Sequence, residues 1–269
     1  MASPSAISLS EPLAAAFRAV RDGGRAALVP YLTAGFPDRD TSLAALQAAD
    51  RWGDVLEVGV PFSDPLADGP TIQRASHVAL HRGMSLAGTL DLIGEAGLVH
   101  PVVLFTYLNP VLAYGVPRLL ADAAAAGVSG LLLTDLPAGG DPAVEQAVAD
   151  GGLDLIRLVA PTTTDRRLAE IAAGASGFLY LVTRLGVTGV RPELARDLAQ
   201  QVHRVKACSS LPVAAGFGIS TPEQARAAGE LADGVVVGSA LVARLEREGV
   251  TGMAGLLGSL RAALEGPRP

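Results

Sequence analysis

The chain has 269 residues, of which 49% are hydrophobic and 18% charged, so it is too apolar and too weakly charged to be intrinsically disordered. A formal net charge of −6 gives no electrostatic footprint for DNA, RNA or an anionic membrane surface, and no apolar run approaches the ~18 residues of a membrane-spanning helix. Because the sequence has one cysteine, Cys208, and shows no basic leader ahead of a hydrophobic N-terminal run, we expect a soluble, unsecreted protein in the reducing cytoplasm.

Eight short apolar runs bounded by turn residues are typical of parallel strands that are covered on both faces. In chain order they span residues 26–35, 54–62, 101–107, 127–137, 153–161, 177–184, 211–220 and 233–242. Helices are predicted between them, at 40–53, 71–96, 110–126, 141–150, 165–173, 192–208 and 221–231, followed by a C-terminal helix from about residue 251.

Several helix starts are marked by capping residues. Asp40 and Thr221 stand where N-caps belong, and Pro192 and Pro222 occupy first-turn positions, where a missing N–H costs nothing. A further helix over residues 10–22 is predicted ahead of the first strand, because Ser8 and Glu11 have the spacing of a capping box.

This alternation of strands and helices predicts an α/β fold, namely a (β/α)8 TIM barrel that forms a single domain over residues 1–269. The extra N-terminal helix is expected to close the N-terminal end of the barrel. An open doubly wound sheet is the structural alternative. It is less favoured because no Gly-x-Gly-x-x-Gly fingerprint follows the first strand.

A glutamate inside the second apolar run is the first candidate for catalysis. Glu57 lies inside an apolar run, on the same pleat face as Val55 and Gly59, so its carboxyl must be paired or have a raised pKa. A raised pKa suits proton transfer near neutrality. The alternative is a structural carboxylate that pairs with an arginine of the helix layer.

The loop that follows this strand carries two aspartates, Asp64 and Asp68, at the end of the barrel where active sites lie. Ordinary turn chemistry is the alternative, since Asp beside Pro or Gly is common in loops. A metal site is not expected, because none of the four histidines falls at a strand end. His77 and His81 have the spacing of a helical metal pair but no third ligand, which favours a solvated helix face.

Glycine-rich segments after the last three strands predict a site for a phosphate group, which backbone N–H groups and a helix N-terminus can bind without a lysine. These segments are GVTG at 186–189, GFGIS at 216–220 and VVVGSA at 235–240. The only lysine, Lys206, falls in a predicted helix away from the strand ends. A Schiff-base or zinc aldolase is therefore excluded, and carbon–carbon cleavage would have to proceed by acid–base chemistry.

At these residues the sequence resembles the tryptophan synthase alpha chain family. The most specific segment is LEVGVPFSDPLADGPTIQ at 56–73. Supporting segments, in the family's order, are PYLTAG at 30–35, TYLNP at 106–110, TDLP at 134–137, LGVTG at 185–189, GFGIS at 216–220 and VGSA at 237–240. The resemblance implies a lyase that cleaves indole-3-glycerol phosphate to indole and glyceraldehyde 3-phosphate, and has no cofactor of its own. It also implies an α2β2 complex with a tryptophan synthase beta chain, which holds pyridoxal phosphate and receives the indole.

The resemblance assigns roles to individual residues. Glu57 matches the glutamate that protonates indole C3 and helps to move the glycerol hydroxyl proton, and Asp68 matches the aspartate that binds the indole N–H and stabilises the cationic intermediate. Thr188 matches a loop position that contacts Asp68 when the segment 184–191 closes over the site. The remaining substrate-binding matches are Tyr31, Phe105, Leu132 and Leu158 around the indole, Tyr180 near Glu57, and Gly189, Gly218, Gly238 and Ser239 around the phosphate. The matches to partner-facing positions are Pro61, Asp64, Asn109 and Asp135.

Three other functions stay open at this point. A stand-alone indole-releasing lyase would use the same residues, and a catalytically silent barrel could bind and activate a beta chain, although it would be free to lose Glu57 and Asp68. A sugar-phosphate isomerase or epimerase is disfavoured, because the first strand has neither a carboxylate nor a cysteine and the fifth has an acid only at its start, Asp154.

Overall fold

Eight parallel strands form a closed barrel, in which each strand pairs with the next in chain order and the eighth pairs with the first. The structure is a computed structural model that describes residues 11–183, 192–216 and 218–265. The strands are β1 (Ala27–Thr33), β2 (Leu56–Gly59), β3 (Val102–Thr106), β4 (Val128–Leu133), β5 (Asp154–Val159), β6 (Leu179–Val182), β7 (Val213–Gly216) and β8 (Gly234–Val237). The predicted (β/α)8 barrel is confirmed, and each strand lies inside one of the eight predicted apolar runs.

Helices surround the barrel, and their apolar faces pack on the strands. They are α1 (Glu11–Asp22), α2 (Arg39–Asp50), α3 (Pro70–His81), α4 (Leu86–Ala96), α5 (Leu108–Tyr114), α6 (Val116–Ala125), α7 (Pro142–Asp150), α8 (Asp165–Ala173), α9 (Pro192–Cys208), α10 (Pro222–Gly229) and α11 (Ser239–Leu264). Within the described residues, no helix is both long enough and apolar enough to cross a membrane.

The predicted N-terminal helix is present as α1 and covers the N-terminal end of the barrel. The ring of Phe17 packs on that of Phe178, just before β6, with 5.3 Å between centroids. A Cβ at Gly234 would lie 3.1 Å from Phe17, and one at Gly130 would lie 3.0 Å from Leu13. Glycines near the starts of β4 and β8 therefore let α1 approach closely.

Two helices that the sequence predicts as continuous are each divided in two. Residues 71–96 form α3 and α4, separated by a turn in which Gly83 has φ +84°, and Ser85 caps α4 by accepting a hydrogen bond from Gly88 N. Residues 110–126 are divided at Gly115, which has φ +93°. Both divisions occur where a left-handed backbone conformation, which glycine adopts without strain, ends a helix.

Helix starts show one error and one confirmation. The N-cap of α2 is Asp38, whose carboxylate accepts from Thr41 N at 2.8 Å, so the prediction of Asp40 is wrong by two residues. Thr221 caps α10 as predicted, in a capping box with Gln224. Pro192 and Pro222 are the first residues of α9 and α10. The predicted capping box at Ser8 lies outside the described residues.

The last helix begins earlier than predicted. It starts at Ser239 rather than near residue 251, and a non-helical Gly249 (φ 66°) interrupts it. The predicted eighth strand includes residues 238–242, because a short apolar run does not distinguish a strand from a buried helix turn. The early start places a helix N-terminus directly after β8.

A cluster of charges ties the N-terminal end of the barrel together. Asp54 accepts two hydrogen bonds from Arg25 (2.7 and 2.6 Å), two from Arg261 of α11 (2.7 and 3.1 Å) and one from Leu28 N (2.8 Å). At the same end, Lys206 pairs with Asp233 at 2.8 Å. The lysine is thus far from the carboxyl ends of the strands, as predicted.

Candidate active site

A cavity of about 100 Å³ opens at the carboxyl ends of the strands, where a (β/α)8 barrel places its active site. Aromatic side chains form its walls, a carboxylate lies at one side, and glycines and a serine border the other. The lining residues are Tyr31, Asp68, Gly69, Ile72, Phe105, Tyr180, Gly218, Ile219, Val236, Gly238 and Ser239.

Glu57 is the second residue of β2 and is 1% exposed. Neither of its carboxylate oxygens has a hydrogen-bond partner among the described residues. Burial disfavours the charged form and raises the pKa of Glu57 to about 8. No arginine of the described residues pairs with Glu57, so the alternative of a structural ion pair is not observed there.

Two tyrosines lie close to both acidic residues. Burial raises the pKa of the Tyr31 and Tyr180 phenols, and the charges of Glu57 and Asp68 raise it further. Both phenols consequently stay protonated at physiological pH and can act as hydrogen-bond donors inside the cavity.

Glycines in the neighbouring strands make room for these tyrosines. A Cβ on Gly59 of β2 would overlap the Tyr31 hydroxyl, and a Cβ on Gly216 of β7 would overlap the Tyr180 hydroxyl. The Tyr31 ring meets Phe105 edge to face, with 5.3 Å between centroids. The result is an aromatic wall in which Tyr31 pairs in register with Glu57.

Asp68 lies in the loop after β2 and is half-buried at the side of the cavity. Tyr107 donates its phenol O–H to Asp68 Oδ2 at 2.9 Å, and the phenol oxygen accepts from Ala67 N at 3.0 Å. Burial raises the pKa of Asp68, while the hydrogen bond from Tyr107 acts in the opposite direction. The carboxylate is thereby held in one orientation towards the cavity.

The opposite side of the cavity is suited to an anion. Gly238 is the N-cap of α11 and has no side chain to cap it, Ser239 is exposed, and Gly218 has φ +82°. The first N–H groups of a helix have no partner within that helix, and the helix dipole favours negative charge there. Thr188 and Gly189, and the segment 184–191 to which they belong, lie outside the described residues.

Two predicted pocket residues are less directly placed. Leu132 pairs in register with Phe105, and Leu158 pairs with Tyr180, so each lies on the same face of the barrel wall as a cavity residue. Neither borders the cavity itself, and Glu57 does not border it either but pairs in register with Tyr31, which does. Leu132 is fully buried and Leu158 is half-buried.

No group of three or more His, Cys, Asp or Glu side chains in the described part of the chain could hold a metal ion. His77 and His81 lie on an exposed face of α3, where His81 Nδ1 is 2.9 Å from the carbonyl oxygen of His77.

Comparison with known proteins agrees with this geometry. The sequence model of the family "Tryptophan synthase alpha chain" matches residues 17–256. The tryptophan synthase alpha chain of Gluconacetobacter diazotrophicus is 52% identical over 238 residues, which cover 87% of each chain. That of Synechococcus elongatus is 46% identical, over 93% of this chain and 95% of the other. This chain belongs to the tryptophan synthase alpha chain family.

Solved structures support the assignment. A Mycobacterium tuberculosis tryptophan synthase chain is 42% identical and superposes with a TM-score of 0.86, over 94% of this chain and 98% of the other. Tryptophan synthase subunit alpha from Legionella pneumophila is 34% identical, with a TM-score of 0.85 over 94% and 98%.

Membership of the tryptophan synthase alpha chain family gives the reaction. The chain is a lyase that cleaves indole-3-glycerol phosphate to indole and glyceraldehyde 3-phosphate. The family has no cofactor of its own. It forms an α2β2 complex with the beta chain, which carries pyridoxal phosphate.

The residues that match the partner-facing positions of tryptophan synthase alpha chains lie near the same end of the barrel. Asp64, Asn109 and Asp135 are exposed, whereas Pro61 is buried within this chain. Asp135 accepts from Leu108 N at 2.7 Å, which fixes the start of α5 against the end of β4. Leu66 and Leu112 are also exposed there, at 93% and 50%.

Several residues at or beside the cavity have no individual role predicted from the sequence. Tyr107 lies beside the cavity and is the most important of them, because it holds Asp68. It follows Phe105 by two positions, and this period-two spacing, which places alternate strand residues on one face, could have indicated it. The other cavity residues without a predicted role are Gly69, Ile72, Ile219 and Val236.

Proposed function

We propose that Glu57 and Asp68 catalyse the family's retro-aldol cleavage in this chain. The observation that carries the proposal is the Glu57 carboxyl, which is buried without a hydrogen-bond partner among the described residues and has a pKa of about 8. Such a group is mostly protonated at neutral pH and can donate its proton, yet it can also accept one within the same cycle.

The chemistry requires one proton to be delivered and another to be removed. Glu57 donates its proton to C3 of the indole ring, which creates a cation delocalised onto the ring nitrogen. The bond between C3 and the glycerol carbon then breaks, and its electron pair restores the aromatic ring. The glycerol hydroxyl becomes the aldehyde and gives its proton to Glu57, which returns to its starting state.

Asp68 stabilises the cation that forms midway. Its carboxylate accepts the indole N–H, so its negative charge lies beside the developing positive charge. The hydrogen bond from Tyr107 at 2.9 Å supports this role, because it orients the carboxylate before substrate arrives.

The remaining cavity residues bind the two ends of the substrate. The slot between Tyr31, Phe105 and Tyr180 takes the indole ring, with Leu132 and Leu158 in the barrel wall behind it. The phosphate lies at the opposite side, where Gly218, Gly238 and Ser239 offer backbone N–H groups and a helix N-terminus. Thr188 and Gly189 are assigned to this site from the family resemblance alone.

We further infer that all 269 residues form one barrel domain and that the enzyme acts in the cytoplasm.

We also infer that Pro61, Asp64, Asn109 and Asp135 contact the beta chain. The exposed carboxylates of Asp64 and Asp135 and the exposed side chains of Leu66 and Leu112 support this interface. They form a mixed polar and apolar surface next to the mouth of the cavity.

The deciding experiment measures release of indole from indole-3-glycerol phosphate by the purified chain, with and without a beta chain. Slow turnover that the beta chain accelerates is the expected result. Fast turnover by the chain alone would instead indicate a stand-alone lyase, and no turnover in either condition would indicate a silent barrel.

A further inference from the structure

The loop that carries Asp68 is exposed and has few attachments to the barrel. Leu66 at its tip is 93% exposed, and the hydrogen bonds within the loop run from Leu66 N to Asp64 O (2.9 Å) and from Asp68 N to Pro65 O (3.1 Å). Those bonds shape the turn but do not anchor it to a helix or strand. The phenol of Tyr107, just after β3, attaches the loop through Ala67 N (3.0 Å) and the Asp68 carboxylate (2.9 Å). The backbone at the two ends of the turn, Pro65 and Asp68, needs a further anchor.

Gln73, in the first turns of α3, provides that anchor. Its side-chain Nε2 donates to the carbonyl oxygen of Asp68 at 3.0 Å and to that of Pro65 at 3.3 Å. A carbonyl oxygen only accepts, so the two bonds require the amide NH₂ group, with its two donors. The Gln73 backbone N–H binds Gly69 O at 3.0 Å in addition.

Asp68 is thereby fixed at three points. Its N–H binds Pro65, its carbonyl oxygen binds Gln73, and its carboxylate binds the phenol of Tyr107. Gln73 is the only one of these partners that belongs to a helix, and it holds the first and last residues of the turn together.

We propose that Gln73 is a positioning residue for the lyase reaction: it holds the Pro65–Asp68 turn so that the Asp68 carboxylate meets the indole N–H. The proposal rests on the proposed role of Asp68. A displacement of about 1 Å at a catalytic group can lower a rate on the order of 100-fold. The substrate's phosphate and ring contacts lie elsewhere in the cavity, so the effect falls on kcat rather than on KM.

The test uses Gln73→Met and Gln73→Glu, which keep the length of the side chain and remove its donors. His77→Met, one turn further along the exposed face of α3, is the matched control. We expect kcat to fall about 10- to 100-fold in both Gln73 variants, with KM within about twofold of wild type, and no change in the control. Gln73 variants with the kcat of the control would overturn the proposal.

A double-mutant cycle with Asp68→Asn shows whether Gln73 acts through Asp68. If it does, Gln73→Met has little further effect once the carboxylate is gone, whereas an independent role gives multiplied losses. Activity of Asp68→Asn equal to wild type would remove the proposed role of Asp68 and this proposal together. An impaired Asp68→Asn beside a fully active Gln73→Met would remove this proposal alone.

Hydrogen exchange gives a measurement that does not depend on residual activity. Gln73→Met should increase amide exchange in a peptide covering residues 63–70, while His77→Met should not, and both should keep the thermal midpoint of the wild type. Unchanged exchange in the Gln73 variant would contradict the anchoring role.

Discussion

Asp54 and Glu57 are buried acidic residues three positions apart, around the start of the second strand, but their pKa values shift in opposite directions. Asp54 is 5% exposed and Glu57 is 1% exposed. Burial would raise the pKa of Asp54, but the hydrogen bonds from Arg25, Arg261 and Leu28 N outweigh it, and the net shift is downward. Glu57 has no such partner among the described residues, and burial raises its pKa to about 8.

The difference follows the position of each residue between the two ends of the barrel. At the N-terminal end, the charge of Asp54 is compensated and ties β1 and α11 to the residues just before β2, so it serves the fold. Towards the carboxyl ends of the strands, the carboxyl of Glu57 has no compensating partner among the described residues, which costs stability and suits the proton transfer proposed for it. The donors that surround a buried acidic residue therefore set the direction of its pKa shift.

The strongest test of this contrast is Glu57→Gln, which keeps the shape of the side chain but cannot relay a proton. We expect kcat for indole release to fall by about 10²- to 10⁴-fold, the range for a general acid–base group, while the fold is retained. Steady-state kinetics and circular dichroism measure the two quantities. Turnover within tenfold of wild type would refute the catalytic assignment.

Asp54→Asn should show the reverse pattern. It leaves Arg25 and Arg261 without their carboxylate, and removing one partner of a buried ion pair costs about 3–5 kcal/mol in the free energy of unfolding. Below the unfolding transition, kcat should stay within about twofold of wild type, since Asp54 is remote from the cavity. Urea unfolding and indole release on the same preparation give both values; a large loss of kcat in folded protein would contradict the division of roles.

The barrel could be predicted because eight apolar runs bounded by turns leave few alternatives. Boundaries were less certain, since apolar residues such as Leu241 and Val242 face the core from a helix as readily as from a strand. Gly83 and Gly115 end helices through positive φ, and the signals for a new helix stand two residues after each, Ser85 as an N-cap and Pro117 in a first turn.

The two carboxylates of the site were visible as charges in an apolar run and in a loop at a strand end. The bond between Tyr107 and Asp68 was not, because it joins residues 39 positions apart and depends on how β2 and β3 are placed side by side. The compensation of Asp54 by Arg261 joins residues 207 positions apart, so no local pattern could show that Asp54 and Glu57 have opposite surroundings.

The opposite pKa shifts also predict opposite pH dependence. Between about pH 4.5 and 8, folded Glu57 keeps a proton that the unfolded chain has lost, so its contribution to stability declines as pH rises, on the order of 2–4 kcal/mol across that window. Asp54 contributes stability above the unfolded pKa of 3.8, and this is lost as pH falls through its lowered folded pKa. Unfolding free energies of wild type and Glu57→Gln from pH 5 to 8 should therefore converge at low pH. Parallel curves would show that Glu57 titrates normally.

The smallest effect tests the hydrogen bond that the carboxylate of Asp68 accepts from Tyr107, the one side-chain donor to it among the described residues. Tyr107→Phe removes the phenol that orients Asp68, and it also removes an influence that lowers the pKa of Asp68. A hydrogen bond to a charged group contributes about 1.5–3 kcal/mol, so we expect kcat/KM to fall roughly 10- to 150-fold. The acidic limb of its pH profile should move upward.

Tyr114→Phe is the matched control, because Tyr114 also donates to a carboxylate, that of Asp122 at 2.6 Å, but on helices away from the cavity. Equal losses of kcat/KM in the two variants would mean that each phenol–carboxylate bond supports the fold and has no separate effect on the reaction. A loss confined to Tyr107→Phe, together with the shifted pH profile, would show that Asp68 lies between the two extremes of Asp54 and Glu57: in the described part of the chain one side-chain donor holds it in place, and no cation pairs with it.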